Sequence, residues 1–145
     1  MPLPVAEYAR CLLAIAETVH CWLSSLAVLD EVRRMRVAAY ADKIAATLER
    51  AGAALGQLEA TPRDRAARER AVRELGRIGG YVETMVDALE HHLDGRKLAG
   101  VKRRLELLRP SELHKSVVAG RKPFHLDRLA SAEGYFRALA DGLRT

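Results

Sequence analysis

Residues 37–58 read VAAYADKIAATLERAGAALGQL. Within them Val37, Ala41, Ile44, Leu48, Ala51, Leu55 and Leu58 are separated alternately by four and three residues. That rhythm returns each side chain to one side of an α-helix for about six turns, whereas a half-buried strand would need an alternation of two. The same spacing recurs on both sides of this stretch. Upstream it runs through Tyr8, Leu12, Ile15, Val19, Trp22, Leu26 and Leu29, and downstream through Ala71, Leu75, Ile78, Val82, Met85, Leu89 and His92. Three such seams predict an all-α fold, a helical bundle of long amphipathic helices with heptad-like seams and shorter C-terminal helices. Ile44, Leu48, Leu55, Leu75, Val82 and Leu89 mark the seam through which the chain packs or associates with itself.

Composition points the same way. Hydrophobic residues make up 49% of the 145, yet only 5% are aromatic, and the apolar set is mainly Ala, Leu and Val, which suits close helix packing. A chain of this size buries roughly 70% of its unfolded surface and needs no staples. One domain is expected, with residues 1–95 as a long-helix core and 96–145 as basic short helices and a terminal helix. The two cysteines, Cys11 and Cys21, are too few and too close to form a secreted disulfide framework. They are expected as small buried thiols in a reducing compartment, which makes the cytoplasm the default location. The apolar run 11–29 approaches the ~20 residues of a membrane-spanning helix, but Glu17 and His20 interrupt it, and no basic cluster precedes it as in a signal peptide.

Segment boundaries are uneven in clarity. Residues 30–36, DEVRRMR, contain no Gly, Pro or Asn, so two readings stand: a bend near Asp30, or one continuous helix over 5–59, roughly 80 Å long, that would have to self-associate to cover its apolar face. Thr61 reads as an N-cap, with Pro62 at the first helical position and Asp64 near the positive end of the helix dipole. Gly76, Gly79 and Gly80 inside the next helix read as points of close approach by a neighbour, with a kink as the alternative. A short helix over 96–108 should end before Pro110, a second over 112–118 begins at Ser111 and stops at Gly120, and a terminal helix carries Leu126, Leu129, Ala132, Phe136, Leu139 and Leu143.

Charge gives the strongest functional signal. Residues 96–128 hold ten Lys/Arg against three acids, a local net of +7 within a chain whose total is +5. A field focused in this way attracts a polyanion or an acidic partner surface. On a helical wheel Leu98, Val101, Leu105 and Leu108 gather on one side, opposite Arg96, Lys97, Gly100, Arg103 and Arg104. The candidate contact residues are therefore Arg96, Lys97, Lys102, Arg103, Arg104, Lys115, Arg121 and Lys122. On nucleic acid they would neutralise phosphates with little sequence preference. Phe124 is the single aromatic of the region, which favours backbone or shape recognition over base stacking there. The arginines of 63–77 are interleaved with acids, and the spacings Asp64–Arg68 and Glu69–Arg73 read as ion pairs on a solvated helix face.

Nothing in the chain spells out a reaction. Glu83, Asp87 and His91 share a helical face, but no His-x-x-x-His or Glu-x-x-His spacing and no matching second helix accompanies them, so no metal is assigned. Phosphate loops, nucleophile elbows and zinc knuckles are absent from the sequence. No cofactor and no enzymatic activity are expected. The sequence reads as a non-enzymatic helical accessory or adaptor subunit acting through protein–protein contacts in a larger or self-associated assembly. The alternative is an RNA- or DNA-backbone-binding protein using the basic region 96–128; attachment to an anionic membrane ranks third.

Overall fold

The computed structural model describes residues 5–22, 26, 28–90, 95–106 and 126–145. These form five helices and no strand: α1 (Val5–Cys21), α2 (Glu31–Ala60), α3 (Arg65–Glu90), α4 (Gly95–Glu106) and α5 (Leu126–Arg144). The all-α bundle read from the seams is what the chain builds. Every residue of the 37–58 seam is buried, as are Ala71, Leu75, Ile78, Val82, Met85 and Leu89 of the later seam. The terminal helix adds Leu129, Ala132, Phe136, Leu139 and Leu143 to the same core. His92 of the later seam lies outside the described residues.

Of the two readings of residues 5–59, the bend is realised and the long rod is not. After α1 the chain turns through hydrogen bonds from Trp22 N to Val19 O, Leu26 N to Trp22 O and Leu29 N to Leu26 O. Trp22 and Leu26 remain buried through the turn and belong to the core, so the apolar seam continues past the end of α1. Asp30 then starts α2: its backbone is extended (φ −59°, ψ 158°) and its carboxylate accepts the Arg33 N–H at 2.9 Å. An aspartate at this position satisfies one of the unpaired first-turn amides and fixes the new helix start without any glycine or proline. Val28 and Val32 stand exposed beside this corner.

The helices close into a ring of neighbours. α2 packs against α3 and α5, α1 against α5 and α4, and α4 also touches α3. Polar ties add to this packing. Tyr8 of α1 donates to the Leu75 carbonyl of α3, and α5 reaches α2 through Arg137 to Glu49 at 3.1 Å and Arg144 to Asp42.

Three local expectations need correction. α3 is capped by Asp64, not Thr61: the Asp64 carboxylate accepts Ala67 N–H at 3.0 Å, and Thr61 instead closes α2, its N–H bonded to Gln57 O. Residues 61–63 form the intervening turn, with Asp64 N donating to Thr61 O. Gly76 and Gly80 are not points of close packing, since a Cβ built on either would meet nothing within 4 Å and α3 runs through them unbroken. The cysteines are not both buried: Cys11 is half-buried and Cys21 exposed, because the helix positions they occupy lie off the seam. The helix over 112–118 with its Ser111 cap and Gly120 stop lies, like Pro110, outside the described residues.

Candidate functional site

α4 is short, and Val101 is its buried anchor in the core. With Val101 turned inward, the next two residues are carried outward, and Lys102 and Arg103 are exposed. Arg104 is half-buried, its guanidinium folded toward Gly100, where a Cβ would sit 3.9 Å from it. Of the eight basic residues singled out in the sequence, these three are placed together on one helix. Arg96 and Lys97 belong to the same helix, while Lys115, Arg121 and Lys122 lie outside the described residues. The last turn of α4 carries Arg103 and Arg104, so cations sit at the negative end of its dipole, the favourable arrangement. Gly100 presents no bare backbone to a ligand, because the Arg104 side chain lies beside it.

The second set of candidate residues has a different fate. Ile44, Leu48, Leu55, Leu75, Val82 and Leu89 are each at most 2% exposed within the single chain. The seam is spent inside the protomer.

On α3 the arginines face solvent as expected, with Arg65, Arg70, Arg73 and Arg77 exposed, but their ion pairs are not the expected ones. Asp64 bonds Gln57 Nε2 at 2.9 Å and caps its own helix, and Arg68 donates to Pro62 O, so the expected Asp64–Arg68 pair is not formed. Nor is the Glu69–Arg73 pair. Instead Glu74, only 9% exposed, holds two arginines from two helices: Arg50 of α2 at 3.2 Å and Arg77 of α3 at 3.6 Å. Arg50 is fixed a second time, donating from a terminal nitrogen to Thr47 Oγ1 at 3.1 Å, while the Thr47 hydroxyl donates to Lys43 O. Both guanidiniums nonetheless keep 52% of their side-chain surface in solvent.

Beside them is an open cavity of about 220 Å³ between α2 and α3, lined by Arg50, Ala53, Ala54, Gln57, Arg70 and Glu74. Among the described residues no carboxylate lies within ion-pair distance of Arg70 or Arg73, both of them exposed. Further along the same groove Tyr40 of α2 and Tyr81 of α3 approach with ring centroids 6.3 Å apart, and the Lys43 ammonium lies 5.2 Å and 5.8 Å from the two rings. Sequence reasoning treated these residues helix by helix. The signal it passed over is the parallel spacing of Tyr40, Lys43, Thr47, Arg50, Ala54 and Gln57 on α2, which flanks the apolar seam at the same alternating intervals of three and four.

The described residues contain no group of three His, Cys, Asp or Glu able to hold a metal ion. Glu83 and Asp87 are exposed, and His91 lies outside the described residues. Among the described residues, no helix is long and apolar enough to cross a membrane. No family model, curated protein or solved structure matches the chain.

Proposed function

We propose that this protein is a non-enzymatic helical adaptor that works by contact within a larger assembly. The observation that carries this reading is the division of labour between its surfaces: the apolar seams are consumed in the protomer's own core, while Lys102 and Arg103 of α4 stand exposed beside the buried Val101. This exposed pair is cationic. An acidic face on a protein partner complements it, and such complementarity acts mainly on encounter rate and partner choice.

A second reading is nucleic-acid backbone binding through residues 96–128, supported by their net charge of +7. Contacts of that kind release counterions and weaken steeply as salt rises. The two readings separate in one experiment. Protein purified from its native host is run on size-exclusion chromatography with light scattering, with absorbance followed at 260 and 280 nm before and after about 1 M salt, where exposed charges are screened within ~3 Å. A co-eluting protein that survives the salt supports the adaptor. A 260 nm signal that salt removes supports nucleic acid. A bare protomer under both conditions overturns both.

A further inference from the structure

We infer that the groove between α2 and α3 is a binding track for single-stranded nucleic acid, with phosphates on Arg50, Arg70, Arg73 and Arg77 and bases against Tyr40 and Tyr81. This face is distinct from α4 and does not depend on it. Its argument begins with helix geometry. At 100° per residue, positions 70, 73 and 77 fall within about 60° of arc, so the three arginines form one column along α3. Across the groove, Lys43 and Arg50 project from the antiparallel α2, whose register is fixed by the Arg50–Glu74 bond.

Glu74 is the organising residue. A carboxylate this buried is costly unless paired, and here it is paired twice, so its charge is cancelled while two guanidiniums are held in place. Fixing Arg50 from two sides, at Glu74 and Thr47, removes rotamer entropy before a ligand arrives, which is what preorganisation contributes to binding. Arg70 and Arg73 add charge that no carboxylate among the described residues neutralises.

Dimensions and chemistry select the strand. From Tyr40 to Gln57 the groove runs along α2 for about 26 Å, the span of a few extended nucleotides. Phosphates alone would be served by arginines. The half-buried tyrosine pair at one end, its rings tilted against each other under Lys43, and the cavity lined by Ala53 and Ala54 add aromatic and apolar edges, which unpaired bases use and a duplex, with its bases stacked inside, does not. An acidic peptide would satisfy the arginines and leave the rings without a role.

The test is fluorescence anisotropy of a labelled oligouridylate of about twelve nucleotides at about 50 mM salt, repeated across a salt series. Arg70→Gln/Arg73→Gln removes two exposed cations that hold no ion pair, so the fold is expected to stay intact, as circular dichroism would verify. Affinity should fall at least tenfold and the log–log salt slope should become shallower by about 1.4, the value for two lost phosphate contacts on a single strand. Tyr81→Leu should weaken binding about tenfold without changing the slope. Lys102→Gln/Arg103→Gln separates this proposal from the α4 reading. Loss of binding in the groove variant, whether or not the α4 variant also loses it, supports the track. Loss in the α4 variant alone overturns the track and leaves the α4 reading standing. Tighter binding of a duplex of equal length, or equal displacement by polyglutamate, also overturns it, and absence of binding by the natural sequence overturns both nucleic-acid readings.

Discussion

The Tyr8 hydroxyl of α1 donates to the Leu75 carbonyl of α3 at 2.7 Å, joining residues 67 positions apart. Leu75 lies inside a continuous helix, so its oxygen serves the helical bond as well and takes the phenol on its remaining lone pair. Tyr8 is fully buried, and burial pushes its ionisation well above the ordinary value of 10.0. The folded state therefore binds this proton more tightly than the unfolded state. Its contribution is fully present below pH 10 and is lost as pH rises above 10, at up to about 1.4 kcal/mol per pH unit. Tyr8→Phe should cost about 1 kcal/mol at neutral pH and should flatten the alkaline loss of stability. Urea unfolding from pH 8 to 11 measures both effects; an unchanged alkaline slope would show that Tyr8 is not the group responsible.

Gly76 and Gly80 offer a gain instead of a loss. Both are interior to α3, and a Cβ at either meets nothing within 4 Å. Alanine there should stabilise the protein by about 0.5–1 kcal/mol per site, through the lower entropy of the unfolded chain and better helix propensity. Thermal melting of the double variant should show an additive rise, and a fall would mean that a second molecule occupies the space these glycines leave.

The two candidate caps of α3 make opposite predictions. Asp64 satisfies the Ala67 amide, so Asp64→Ala should cost about 1 kcal/mol. Thr61→Ala removes a side chain from the end of α2 and should cost a few tenths of a kcal/mol at most, within the range of ordinary surface substitutions. Equal losses in chemical denaturation would return the cap to Thr61.

Legibility followed the length scale of each interaction. The alternating four–three spacing specified the helices and their buried faces, because burial acts on whole turns and repeats for as long as the helix lasts. The break near Asp30 was visible only as one of two options: a lone aspartate caps a helix as firmly as a glycine ends one, yet it also belongs in helix interiors facing solvent. The cap at Asp64 lay three residues past a better-looking Thr-Pro pair, and a hydrogen bond decided it. Ion pairs were least legible. Helical spacing offered Asp64 to Arg68 and Glu69 to Arg73, but Asp64 went to an amide, and Glu74, half-facing the core, took Arg50 from another helix. Whether the outward charge of Lys102 and Arg103 meets protein or nucleic acid is not written in spacing at all, since both present anions.

Leu48 distinguishes packing within the protomer from packing between copies. It is 2% exposed with its own chain alone surrounding it, in the face of α2 that meets α3 and α5. Leu48→Ala leaves a cavity and should cost about 2–5 kcal/mol, lowering the melting temperature by roughly 10 °C for a domain of this size. Because the lost contacts are intramolecular, the drop should be the same at micromolar and at hundredfold higher concentration. Were the seam shared between copies, mass action would make the drop shrink as concentration rises. Leu48→Ser/Leu55→Ser extends the argument: two polar groups without partners in one core exceed the 5–15 kcal/mol that holds an ordinary domain together only when added to the cavities they leave, so the double variant should unfold outright. A folded double variant of smaller oligomeric size would instead assign the seam to self-association.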